Sequence, residues 1–597
     1  MALIQALVTA LVALIITPEY LFYFDVTPKV VVLLAGTALA LLWRPDFRLS
    51  YRPFVVLLAL SLVSLAVSTA FSLNPALSAF GTNWRRFGSV IQAAILLFAW
   101  MMASHTAGRP KRARVILRGV IAAGALTALY GIAQYFGWDP LLPAAAYHVG
   151  EGIWTIVRPP GTLGYVSYFA TWLLFVSFLG PVLLTLETHR LWRALTWAAI
   201  AASVVAIFLT GTRAAMLGLL TGLACWLYQR GFRVPRRVVA VAALFLIAGA
   251  AFYFSPPGRQ LRSRSRWFAE DPWGGARLAL WRDSFRMGLH RLPAGYGPEV
   301  FTAAFPAFES KSAAVAYPDF SYESPHNMFL DALVSQGLLG LLILIGFCAV
   351  AWKSDRRFWP AVAAAIVAQQ FTVFIVPTAL MFYIAIALAV GLSCAEPPPP
   401  RRGMSYLAFA APAALALLYI AARFTVSDRA LAASRRDLQS ANLPAAVAQY
   451  NRYQRWRLPG TAADLWYSRT LFALAIKTSN PVVRLQEIAQ SGAAAVRATR
   501  SAEDPFNAWY NMAILYANQN DPARTEQSLR SAIAASPNWF KPHWTLAQVL
   551  RLEGRMDDAE SEARHAVELN GGRNPEVART LAEIRAGRAA VNAETQK

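Results

Sequence analysis

Residues 321–352 read SYESPHNMFLDALVSQGLLGLLILIGFCAVAW, and from Asn327 onward they form one apolar run. At about 1.5 Å per residue, a helix of that length exceeds the roughly 30 Å hydrocarbon core of a bilayer, so the run reads as a membrane span. Toward the N-terminus, similar runs lie near 3–23, 28–43, 53–73, 87–104, 115–137, 165–186, 194–210, 214–229 and 238–255. Beyond it, 358–394 is too long for one helix, and Pro377 near its middle predicts a helical hairpin. A last run near 404–422 brings the expectation to about thirteen spans.

Composition agrees with a polytopic helical membrane protein. Of 597 residues, 56% are hydrophobic and 15% charged, and the mean hydropathy of +0.40 excludes an ordinary soluble enzyme or a disordered chain. The net charge of +23 must be tested against the positive-inside bias before nucleic acid is considered. Loops carrying Arg44, Arg48 and Arg52; Arg109, Lys111, Arg112 and Arg114; Arg190 and Arg193; Arg230, Arg233, Arg236 and Arg237; Lys353, Arg356 and Arg357; and Arg401 and Arg402 fall on one side, expected to be cytoplasmic. Intervening loops hold only Lys29, Arg85, Arg86, Arg158 and Arg213, together with the long segment 256–325, expected to be periplasmic. The N-terminus then reads as a retained cytoplasmic start, with no basic residue before its apolar run and no small-residue cleavage site. Cys225, Cys348 and Cys394 all lie in apolar runs and form no CxxC motif.

From 425 to 597 the chain becomes alanine-rich with mixed charges and a period of 34 residues. Trp509, Ala513, Tyr516, Leu529, Ala532 and Pro537 fall where a tetratricopeptide repeat puts its packing residues, and Ala547, Leu550, Ala559, Ala563 and Ala566 repeat the register. Weaker pairs are expected at 428–456 and 462–498, with a capping helix at 574–588. The plain alternative is a generic helical bundle. The fold class is therefore all-α: a membrane domain over 1–424, then a periplasmic α-solenoid.

Arg213, in FLTGTRAAMLGLL, lies between two spans on a face that otherwise avoids basic residues. It is either a site residue or a snorkelling interfacial arginine. The 256–325 segment is far longer than an ordinary connection, and such loops tend to be functional. Within it Leu278, Trp281, Phe285 and Leu289 recur at helical spacing, predicting an amphipathic helix that starts at Arg277 and can lie on the bilayer. Gly295, Gly297 and Pro298 mark a tight turn. His326 closes the segment at the start of a helix, where the dipole disfavours the imidazolium and keeps a neutral base. Glu323, three residues earlier, is placed to orient the ring, or is a solvated loop acid. A base beside arginines at the membrane surface is what group transfer from a lipid diphosphate needs, because guanidinium forks hold phosphate oxygens.

GTRAAMLGLL, RLALWRDSF followed by GYGPEVF, and SPHNMFLDALVSQGLLGLL resemble, in order, signature segments of the O-antigen ligase and polymerase superfamily. FGTNWRRFGSVIQ and RPPGTLGYVSYFATWLL are similar to its outer-loop motifs, so that the likeness spans about 75–350. The family often has an Asn in the segment that here reads GTLGYVSY, with Ser167 as a substitute. The resemblance implies a C-type glycosyltransferase fold that takes a glycan from undecaprenyl diphosphate on the periplasmic side of the bacterial inner membrane, without a metal or other cofactor. It implies His326 as catalytic base, Arg213 and Arg277 as diphosphate ligands, and Arg85, Arg86 and Arg158 as accessory contacts. The outer acids Asp271, Asp283, Asp319 and Glu323 are scattered, with no DxD or HExxH cluster.

The acceptor is a lipid A core, another glycan or a protein, and the repeats, which usually bind peptides or proteins, tilt the choice toward a protein. No nucleic-acid partner is expected. Two other classes compete: a secondary transporter with Gln369 and Gln370 at midplane, and a membrane-anchored repeat scaffold. The first lacks mid-membrane acids and repeated halves, and thirteen spans are excessive for the second.

Overall fold

A computed structural model describes residues 1–43, 51–149, 156–231, 236–270, 275–396, 405–460, 462–501 and 503–595. Arg44, Arg48, Arg233, Arg401, Arg402 and Asp271 lie outside the described residues. Of the described residues 77% are helical, and the strands among them are the pairs His148–Val149 and Ile156–Val157, joined antiparallel.

The N-terminal helices are α1 (Ala2–Leu14), α2 (Thr27–Leu42), α3 (Arg52–Ala70), the short α4 (Pro75–Phe80), α5 (Ser89–Thr106) and α6 (Pro110–Tyr135). Next come α7 (Val166–Leu186), α8 (Arg190–Thr210), α9 (Arg213–Gln229) and α10 (Arg236–Phe254). The segment expected as one long loop is folded, with α11 (Arg259–Glu270), α12 (Arg277–His290), α13 (Phe301–Ala304) and α14 (Lys311–Ala316). The chain returns through α15 (Met328–Lys353), α16 (Trp359–Ala368), α17 (Val376–Ser393) and α18 (Ser405–Gln439). It ends with α19 (Leu443–Trp456), α20 (Asp464–Lys477), α21 (Pro481–Ser501), α22 (Pro505–Asn518), α23 (Pro522–Ala535), α24 (Phe540–Leu552), α25 (Met556–Asn570) and α26 (Pro575–Thr595).

Eight of the described helices are long and apolar enough to cross a membrane: α3, α5, α6, α7, α8, α15, α17 and Ala410–Gln439 of α18. A helix forms at each of the other expected runs as well: α10 has 19 residues, and α1, α2, α9 and α16 have 13, 16, 17 and 10, against the roughly 17–25 that span a bilayer. At some of these positions the helix is shorter than the apolar run. In the run 3–23, for instance, the helix stops at Leu14 and residues 17–27 fold into turns around Pro18. Pro377 stands in the first turn of α17 instead of in the bend before it, where its missing N–H costs nothing.

Burial grades the bundle. α17 and α7 run through its middle, with 83% and 78% of their membrane windows buried, against 33% for α3. Trp172 of α7 is fully enclosed and its indole N–H donates to Thr127 Oγ1 at 3.2 Å. One end gathers the basic loops: Arg357 Nη1 donates to Thr185 Oγ1 (2.9 Å), Gln229 Nε2 to the Arg356 carbonyl (2.6 Å) and Arg109 Nε to Glu396 (2.8 Å).

At the other end, the 256–325 segment packs Leu280, Met287, Tyr296, Phe301, Phe305 and Tyr322 into a core shared with Leu77 of α4 and Val334 of α15. The turn at Gly295 and Gly297 (φ 70° and 99°) approaches the backbone of α15 closely, as its glycines predict. α15 breaks at Gly337 (φ 69°), which frees carbonyls in its first half, and the N–H groups of Tyr296 and Gly297 donate to Val334 and Ser335 there at 2.8 and 3.0 Å. α12 forms where predicted and is two-sided. Leu278, Phe285 and Leu289 stay exposed while Leu280, Asp283 and Met287 are buried beneath.

The boundary expected at 424/425 falls inside α18, a continuous helix of 35 residues that leaves the bundle and becomes the first helix of the C-terminal stack. From there helices pair in chain order, α18 with α19, α20 with α21, α22 with α23 and α24 with α25, and α26 closes the end. α25 starts 34 residues after α23, and Ala513, Leu529, Ala532, Ala547, Leu550, Ala559, Ala563 and Ala566 are all fully buried between helices. The stack docks on the end of the bundle that carries the outer segment. Asp428 of α18 accepts from the Tyr23 N–H (3.1 Å), Glu503 from the Asn83 N–H (2.9 Å), and Asn538 Nδ2 donates to the Glu309 carbonyl (2.6 Å).

Candidate active site

His326 precedes α15 in a left-handed conformation, φ 50°, with its N–H donated to Ser324 Oγ at 3.2 Å. Such a backbone costs a non-glycine residue about 1–3 kcal/mol and persists where surroundings enforce it. The cap of α15 is the next residue: Asn327 Oδ1 accepts from the N–H groups of Phe329 and Leu330 at 3.0 and 3.1 Å. His326 is therefore released from capping. Burial first, then the charges of Arg277 and Arg85, hold its imidazole down to about 4, so it is neutral near pH 7.

Arg277 opens α12, and its guanidinium carbon lies 6.0 Å from the centre of the Phe371 ring, which also packs against Trp281. Phe371 belongs to the turn between α16 and α17, whose Gln369 carbonyl accepts the Met328 N–H at 3.0 Å. The floor beneath His326 is thus the tip of that helical pair. Arg213 opens α9 after the turn Gly211–Thr212. Gly211 is left-handed (φ 58°), and its carbonyl accepts from Arg264 Nε at 3.4 Å.

Arg264, on α11, joins the expected arginines. Burial and then the charges of Arg158, Arg213 and Arg277 push its guanidinium down to about 10. Arg264 thus has three cations within electrostatic reach, and one of them, Arg277, also acts on His326. Around them lie Arg158 Nε, Thr212 Oγ1 and Trp281 Nε1, buried polar atoms without a hydrogen-bond partner among the described residues, and both side-chain amide atoms of Gln369 are in the same condition. Sequence reasoning missed Arg264. Its signal was the run RQLRSRSR at 259–266, four arginines in eight residues.

Arg85 and Arg86 sit differently. Arg85 Nε pairs with Glu299, its Nη1 lies 3.8 Å from Asp331, and Glu299 also accepts from the Thr82 N–H and hydroxyl at 2.9 and 2.6 Å. Arg85 still reaches His326 by its charge. Arg86 lies 3.8 Å from Asp428 and stacks over Phe424 and Tyr23 at 4.5 and 5.3 Å, which places it in the seam with α18. Glu323 is buried, its carboxyl pushed up by that burial and opposed by Arg85. It makes no hydrogen bond to the imidazole among the described residues.

Residues 198–345 match the family model of O-antigen ligase. That stretch contains Arg213, Arg264, Arg277 and His326 and leaves Arg85, Arg86 and Arg158 outside it. No curated protein matches the chain. Together with the apolar helices, the match supports a multi-pass membrane protein that, at the level of the family, acts on a glycan and an acceptor as a ligase or polymerase.

Proposed function

We propose that the protein transfers a glycan from undecaprenyl diphosphate to an acceptor hydroxyl on the periplasmic face of the bacterial inner membrane. The observation that carries this reading is the grouping of Arg158, Arg213 and Arg277 around Arg264, with Arg277 also within electrostatic reach of a neutral, partly buried His326. Arg213 and Arg277 grip the diphosphate oxygens, with Arg264 and Arg158 completing the cradle. His326 takes the proton of the acceptor hydroxyl as its oxygen bonds to the anomeric carbon. The anomeric carbon–oxygen bond to the diphosphate breaks, and its electron pair leaves with the diphosphate, whose charge the arginines stabilise. The guanidinium groups supply the positive charge that a divalent cation supplies in metal-dependent transfer. Arg85 tunes His326 from behind, and Glu323 supports Arg85.

The pairs from α18 onward are tetratricopeptide repeats in this reading, on the strength of the 34-residue spacing and the buried small residues. Docked on the same end as the arginines, they present a protein or peptide partner to the site, which favours a protein acceptor over lipid A core or another glycan.

The test uses the full chain in lipid nanodiscs with the lipid-linked glycan extracted from its own host. Mass spectrometry of glycoproteins and lipopolysaccharide, from cells with and without the protein, identifies the product. His326→Ala is expected to lower transfer by about 10²–10⁴-fold while remaining inserted. Transfer by that variant at the normal rate overturns the role of His326.

A further inference from the structure

Between the outer segment and the C-terminal stack lies a cleft walled by Phe305, Tyr317, Phe320 and Tyr322 on one side and Phe506 and Trp539 on the other. Phe320 is 53% exposed and Tyr317 39%, so rings face solvent there without an apolar cover. The polar groups at the cleft are close to charge balance. Asp319 accepts from Trp539 Nε1 at 3.0 Å and is ion-paired with Lys541. Glu309 lines the cleft, and its carboxyl has no hydrogen-bond partner among the described residues; burial and Asp283 push it up to about 7.

The cleft opens toward the arginines. A Cβ on Gly275 would stand 2.9 Å from Tyr317 Oη, two residues before Arg277. Asp283, about 9 Å further along α12, accepts from the Ser310 N–H and hydroxyl at 3.0 and 2.6 Å, next to Glu309.

We propose that this cleft is a saccharide subsite, which holds sugars of the lipid-linked glycan that extend beyond the residue attached to the diphosphate. A pyranose has a C–H face that lies on an aromatic ring and a rim of hydroxyls that bond to carboxyl and amide groups, which is the chemistry these walls offer. With Asp319 taken up by Lys541 and Trp539, Glu309 is left as the carboxyl that can meet a ligand, which suits a hydroxyl-rich chain better than an anion. The assignment rests on the transfer reading above, and through it the outer segment and the repeats together read the length of the donor.

The experiment compares wild type, Phe320→Ala and Glu309→Gln as full chains in nanodiscs. Saturation-transfer NMR follows the host polysaccharide after release from its lipid by mild acid. In parallel, KM is measured for undecaprenyl diphosphate bearing one sugar and for the full lipid-linked glycan. Expected is a roughly tenfold loss of polysaccharide binding in both variants, a matching rise in KM for the long donor, and no change for the single-sugar donor. Equal binding by all three proteins overturns the subsite, as does displacement of polysaccharide by a lysine-rich Ser/Thr peptide. His326→Ala separates the two proposals: polysaccharide binding that persists in it and depends on Phe320 supports the subsite even if no protein in the series transfers a glycan.

Discussion

Two groups of arginines occupy the same end of this molecule and are treated in opposite ways. Arg85 and Arg86 are buried against carboxylates, Glu299 with Asp331 for one and Asp428 for the other. Arg264 instead lies within reach of the charges of Arg158, Arg213 and Arg277, which lower its guanidinium. A buried cation with its own carboxylate is an architectural part, and removing one partner strands the other charge. A grouping of cations suits the proposed role of receiving negative charge.

The sharpest way to break this contrast is to remove one arginine from each group. Arg85→Met leaves Glu299 buried without its cation and should cost about 3–5 kcal/mol, read as a loss of thermal stability. Arg264→Met should cost less stability than Arg85→Met while weakening donor binding. Equal destabilisation by both dissolves the distinction. Arg213→Lys keeps the charge but loses the bidentate fork, and transfer should fall by about tenfold to a hundredfold; full activity would return Arg213 to a snorkelling role.

A finer test reads His326 through its neighbours. Since the charge of Arg277 lowers the imidazole from 6.5, Arg277→Gln should move the acid limb of kcat/KM upward from about pH 4, whatever its effect on the maximum. Burial, the larger cause, remains, so the limb should stay below 6.5. The smallest effect is expected of Gly211→Ala. Its left-handed backbone adds about 1–2 kcal/mol of strain, and its Cβ would stand 2.8 Å from Arg264 Cγ, so KM for the donor should rise modestly with kcat kept.

Much of this was legible in the sequence because hydropathy and charge are local signals. Helices form at the apolar runs, and the basic loops collect at one end. What was not legible depends on partners distant in the chain. Nothing near Arg85 announces Glu299, more than two hundred residues away, so a buried ion pair and a ligand-binding arginine look alike in FGTNWRRFG. Arg264 was hidden because its grouping with Arg158, Arg213 and Arg277 joins residues far apart in the chain. The 256–325 stretch read as a loop because its short helices draw their stability from a shared core around Met287 and Phe305.

The unbroken α18 sets the mechanics of the whole assembly. A flexible tether would let the C-terminal stack sample many positions, whereas 35 helical residues behave as a stiff strut about 50 Å long. Whatever the stack carries is then presented to His326 at a fixed height and bearing. The register of α18 is correspondingly unforgiving: a single residue inserted above the bilayer rotates everything beyond it by about 100° and swings Asp428 away from Arg86, whereas a full extra turn raises the stack and nearly preserves its heading.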